Sequence, residues 1–218
     1  MYKSGFLKLA VLLLSIGAAA ACKSATGASS SGTPILQPGA PGQQTKTIDT
    51  KTATDLSKVG ATAADVKFMQ GMIGHHAQAV EMVDLLESRT TRPEMRALGQ
   101  RISLSQVDEI RMMQDWLTSR GQMAPEQHAH HGEHEMMPGM LMPEQMQQLA
   151  AAKGPEFDRL FLAGMLAHHR GALTMVEQLL KQPGAAQEPE IFGFIADVEA
   201  DQGAEIARMS AMLAEYSK

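Results

Sequence analysis

The chain repeats itself, and nothing else in it constrains the fold as strongly. Residues 65–82 align without a gap with residues 158–175, at an offset of 93. The matches include Phe68 with Phe161, Met72 with Met165, His75-His76 with His168-His169, and Met82 with Met175. A second stretch recurs at an offset of 96. Gln106, Glu109, Ile110, Met113 and Leu117 return as Gln202, Glu205, Ile206, Met209 and Leu213. One structural unit therefore occurs twice. A unit that cannot cover its own apolar face must stack against its copy.

The period identifies the unit. Phe68, Met72, His75, Ala79, Met82 and Leu86 step by four and three, as do Phe161, Met165, His168, Ala172, Met175 and Leu179. That is the apolar seam of a helix in a bundle. Leu98, Ile102, Gln106, Glu109, Met113 and Trp116 form a second seam, and Val198, Gln202, Glu205, Met209 and Met212 a fourth. Thr62 with Asp65 reads as a capping start, Pro93, Pro155 and Pro189 as helix openings, and Gly121 and Pro183-Gly184 as stops. Residues 143–152 predict a short additional helix. The expected fold is all-α: an up-and-down four-helix bundle over 62–218, built from hairpins 62–120 and 143–218 joined by a loop, 121–142.

Antiparallel pairing places His75 level with about residue 107 and Met72 level with about residue 110. Met72, His75, His76, Gln106, Glu109 and Met113 then fall close together. Met165, His168, His169, Gln202, Glu205 and Met209 do the same in the second hairpin. Adjacent histidines point about 100° apart, so only one of each pair sits on the strict seam. A single buried Met or His is ordinarily packing. Polar groups repeated at core positions are costly unless they are satisfied, and the whole constellation points to metal. Thioether with imidazole selects a soft ion, Cu(I) above all and Ag(I) alike. The expected ligands are Met72, His75, His76 and Met113, with Met165, His168, His169 and Met209. Gln106, Glu109, Gln202 and Glu205 are expected to support them from behind, the carboxylates by holding an imidazole tautomer. Zinc held by His and Glu alone is a rival reading. A carboxylate-bridged di-iron oxidase is another, although no Glu here is followed three residues later by His.

The connecting loop carries nine His and Met side chains in twenty residues. Met123, His128, His130, His131, His134, Met136, Met137 and Met140 make it a second, flexible metal site. It is open to Cu(II) or Zn(II) as well as Cu(I), because clustered imidazoles bind all three.

The start of the chain reads as an export signal. Lys3 and Lys8 precede the apolar run Leu9–Ile16, which is too short to span a membrane. Small residues lead to Cys22, the one cysteine in the chain. Residues 1–21 would be removed, either before a lipidated Cys22 or by an ordinary signal peptidase. Residues 22–61 are rich in Ser, Thr, Gly, Ala and Pro, and predict a flexible tether without fixed contacts over 23–55. The expected location is the periplasmic or extracellular face, with the membrane reached only through the N-terminal lipid.

A single cysteine excludes disulfide frameworks and Cys-rich metal clusters. The net charge of −5 and 4% aromatic content exclude nucleic-acid partners. Nucleophile elbows and phosphate or dinucleotide loops are missing from the sequence, so no enzyme is expected.

Phe68 to Met82, Phe161 to Met175, Glu109-Ile110 with Met113-x-x-Trp116-Leu117, Glu205-Ile206 with Met209, and the stretch from Met140 to Met146 together resemble the bacterial domain of unknown function family 305. The resemblance covers about residues 62–216. It implies a ferritin-like four-helix fold and export, as in the CopM-like periplasmic copper-binding proteins. It also implies copper sequestration or delivery, with copper-transport proteins as partners. Leu162 stands where the first repeat has Met69, so the two halves are expected to differ. A structural envelope protein with a Met-rich core is the remaining alternative.

Overall fold

The structure is a computed structural model that describes residues 34–37, 44–55, 59–125 and 136–216. It divides into two units, residues 1–55 and 56–218. In the first unit, β1 (Ile35–Gln37) and β2 (Lys46–Ile48) pair antiparallel, with Ile35 opposite Ile48. A single turn, α1 (Thr50–Ala53), follows, and the Asp49 carboxylate accepts from the Thr52 N–H. Over the described residues 34–37 and 44–55, this corrects the expectation of no fixed contacts; the rest of 23–55 lies outside the described residues. Ile35, Thr47 and Ile48 are β-branched and favour paired extended backbone, even beside Gly- and Pro-rich stretches.

The second unit is entirely helical among the described residues. Its elements are α2 (Ala63–Asp84), α3 (Leu86–Arg89), α4 (Pro93–Ser119), α5 (Pro143–Ala151), α6 (Gly154–Leu180) and α7 (Pro189–Glu215). The four long helices run 22, 27, 27 and 27 residues. Their ends follow local chemistry. Thr62 and Asp65 form a reciprocal capping box on α2, satisfying N–H groups that a helix start leaves unpaired. Prolines open α4, α5, α6 and α7, where the missing N–H costs nothing. Gly121 and Gly184 follow helix ends with φ of 66° and 75°.

Three packings build the unit: α2 on α4, α6 on α7, and α2 on α6. The first two are the duplicated hairpins, and the third joins the copies. The core divides into two apolar clusters. Met72 and Met113 lie in one with Phe68, Trp116 and Met175; Met165 and Met209 lie in the other with Met82, Phe157 and Phe161. The buried Asp65 and its repeat partner Asp158 each tie helix ends together. Asp65 accepts from the Ala186 N–H at 2.8 Å, and Asp158 from the Tyr216 hydroxyl at 2.9 Å. None of the described helices is long and apolar enough to cross a membrane.

Candidate metal centre

The four histidines of the repeat meet where α2 and α6 cross, and all are buried. His75 and His168 lie ring against ring, with centroids 3.8 Å apart. His76 and His169 sit outside them. The His76 Nε2–H donates to Glu109 Oε2 at 2.5 Å, and the His169 Nε2–H donates to Glu205 Oε2, also at 2.5 Å. One relation thus occurs twice, as the duplication predicts. A carboxylate on Nε2 fixes the ring orientation and leaves Nδ1 turned away from that bond. The carboxylates hold the outer histidines, while the seam pair turns to backbone. The His75 Nε2–H donates to the Pro138 carbonyl at 2.9 Å, and the His168 Nε2–H to the His75 carbonyl at 2.8 Å.

All four Nδ1 atoms are buried without a hydrogen-bond partner. Burial, aided by His76 and by His169, lowers the His75 pKa to about 3. Burial and the neighbouring His75 push that of His168 well down. Both imidazoles are therefore neutral, the form that ligates metal. Four orphaned nitrogens in a native core call for an explanation, and an ion is one.

Met72 and Met165 stand about one helical turn before the paired histidines, on α2 and α6. Met72 with Met113, and Met165 with Met209, are fully buried in their separate clusters. Each cluster draws on both hairpins and marks one end of the helices: Met175 joins Met72 and Met113 in the first, and Met82 and Met95 join Met165 and Met209 in the second. Met82 and Met175 belong to the seam pattern, but within-hairpin pairing does not reveal which residues of the other hairpin they join. Gln106 and Gln202 are buried, and their Oε1 atoms have no partner. Among the described residues, no group of three His, Cys, Asp or Glu is arranged to hold a metal ion. The zinc reading from His and Glu alone and the carboxylate-bridged di-iron reading therefore find no ready ligand set among the described residues.

The loop departs from expectation. His128, His130, His131 and His134 lie outside the described residues, as does Cys22 with the whole leader. Met123 is 77% exposed, and its carbonyl accepts from Gln70. Residues 136–142, expected to be flexible, instead form a fixed strap across α2 and α6. The Gln78 amide donates to the Leu141 carbonyl and accepts from its N–H, while His75 binds Pro138. A Cβ on Gly171 would stand 1.9 Å from the Pro138 oxygen, so only glycine admits the strap there. Two buried side chains supply what a repeating strand or helix partner would otherwise supply, and no sequence period announces this. Met137 is half-buried over Gly71, Met140 is half-buried, and Met136 stays exposed.

The carboxylates of the two His–Glu pairs line grooves between α4 and α7, and Asp201 lines both. Partial burial and the nearby Glu109 and Glu205 raise the Asp201 pKa.

The profile of the domain of unknown function DUF305 matches residues 65–213. A DUF305 fragment from Deinococcus radiodurans is 31% identical, with a TM-score of 0.63 over 71% of this chain and 98% of its own. A DUF305 protein from Streptomyces coelicolor is 27% identical, with a TM-score of 0.62 over 72% and 94%. CopM in its Cu(II)-bound form is 28% identical, with a TM-score of 0.59 over 70% and 97%. Its Cu(I)-bound form is 25% identical, with a TM-score of 0.56 over 70% and 96%. No curated protein matches the chain.

Proposed function

On the premise that the chain belongs to the DUF305 family, which its match over residues 65–213 establishes, we propose that it binds copper and sequesters or delivers it as Cu(I), without chemical turnover. The observation that carries this reading is the set of four buried imidazoles. Each has its Nε2 committed and its Nδ1 without a partner, and the fully buried Met72 and Met165 stand about one helical turn before each pair. Neutral imidazole and thioether need no deprotonation at neutral pH and favour Cu(I) over hard ions. The copper-bound forms of the similar CopM support the same reading. The ligand sets are Met72, His75 or His76, and Met113, with Met165, His168 or His169, and Met209. Glu109 and Glu205 orient the outer imidazoles. The arrangement of long helices is that of a ferritin-like up-and-down four-helix bundle. The protein works at the periplasmic or extracellular face, anchored through a lipidated Cys22, and exchanges its ion with copper-transport proteins.

A competition titration against a Cu(I) chelator tests this. Replacing Met72, His75, His76 and Met113 together by apolar residues should weaken tight binding, and Zn(II) should compete poorly. Deleting 126–135 should leave tight binding in place. If a variant with both ligand sets replaced holds copper as firmly as the native chain, the bundle is only a scaffold.

A further inference from the structure

A cavity of about 640 Å³ opens on the α2–α6 face beside the strap. Three thioethers line it: Met136 and Met137 from the strap, and Met175 from α6. Their exposure falls inward. Met136 is 40% exposed, Met137 is half-buried and Met175 is 8% exposed. Met137 and Met175 converge at Gly71 on α2. A Cβ there would lie 3.2 Å from the Met137 sulfur and 3.6 Å from the Met175 methyl. The missing side chain at Gly71 is what lets the two methionines approach one another. Met175 belongs to the same apolar cluster as Met72 and Met113, and Met137 packs against that cluster.

The lining suits one chemical class. Among the described residues, no carboxylate and no imidazole lines it. The ionisable group among the described lining residues is Lys67, whose positive charge opposes a divalent cation about twice as strongly as a monovalent one. Hard cations find no oxygen charge, and a soft monovalent ion finds sulfur. The arrangement is not repeated at the equivalent position of the second repeat. At Gly164, the counterpart of Gly71, Met82 stands where Met175 would be, but Leu141 takes the place of Met137.

We infer that Met136, Met137 and Met175 form a three-thioether site for a soft monovalent cation, Cu(I) or Ag(I), continuous with the buried Met72–Met113 pair. The inference rests on the copper reading above and adds an outer site to it, on one side of the molecule only. Met175, a helix residue, distinguishes it from a site made by the loop alone.

Titration of the full chain with Ag(I), followed by NMR of ¹³C-methyl-labelled methionine, tests it. Met→Leu variants assign the resonances and keep the side-chain volume, so the fold tolerates them. The Met136, Met137 and Met175 methyls should shift together in substoichiometric Ag(I). Met175→Leu should abolish the response of the other two. If Met136 and Met137 respond fully in Met175→Leu, the site belongs to the strap alone and the inference fails. If Met72 and Met113 shift while Met175 does not, the inference fails and the copper reading stands. If no methionine methyl moves, both fail.

Discussion

The metal-free protein should lose stability in mild acid through the two stacked histidines. In the unfolded chain each titrates near 6.5, whereas in the fold His75 titrates near 3 and His168 well below its ordinary value. Both folded values are depressed, because the cationic ring would be buried without solvent beside other imidazoles. The stabilisation is therefore complete above about pH 6.5 and is lost as the pH falls, for His75 down to about pH 3. Between about pH 7.5 and about pH 5, His75 alone should cost about 2 kcal/mol of folding free energy. His168 adds a loss of the same sign. Asp201 acts in the opposite direction, since its raised pKa means that protonation relieves repulsion from Glu109 and Glu205. It is exposed, so its effect is small. Urea unfolding of chelator-treated protein across this range measures the slope. His75→Gln keeps an N–H donor for the Pro138 carbonyl but does not titrate, so its slope should be shallower by the His75 share. The reasoning is refuted if the native chain and His75→Gln lose stability equally between the two pH values.

Three further outcomes follow from the same geometry. Glu109→Gln and Glu205→Gln should each weaken Cu(I) binding by about 10- to 100-fold, because the imidazole loses the carboxylate that sets its tautomer; unchanged affinity in both would show that the carboxylates do not orient ligands. Gly171→Ala should cost about 2–3 kcal/mol and expose the strap to protease, since its Cβ would overlap the Pro138 carbonyl; an unchanged urea midpoint would contradict the close approach. Cys22→Ser should release the chain from the membrane fraction, and a native chain already free of membrane would leave simple secretion as the better reading.

Helices, their ends and the duplication were legible in the sequence because each depends on local information. The four-and-three step from Phe68 to Leu86, the Thr62–Asp65 capping pair and the prolines before α4, α6 and α7 are properties of short stretches. The offset of 93 carries them from one hairpin to the other. A period says which face of a helix is buried, but it does not say which neighbour covers that face. Hence the seam pattern brought Met82 and Met175 into the core without showing which residues of the other hairpin each would join. It set Glu109 and Glu205 near the histidines without showing that they hold His76 and His169, while His75 and His168 stack on each other and bond to backbone carbonyls. The small hairpin at Ile35–Ile48 was hidden by the Gly- and Pro-rich stretches around it. The strap was least legible of all. Residues 136–142 have no period of their own, and their place is set by His75, Gln78 and Gly171, which lie far away in sequence. Only the packing of α2 against α6 creates the groove that the strap fills, and with it the cavity where Met136, Met137 and Met175 meet.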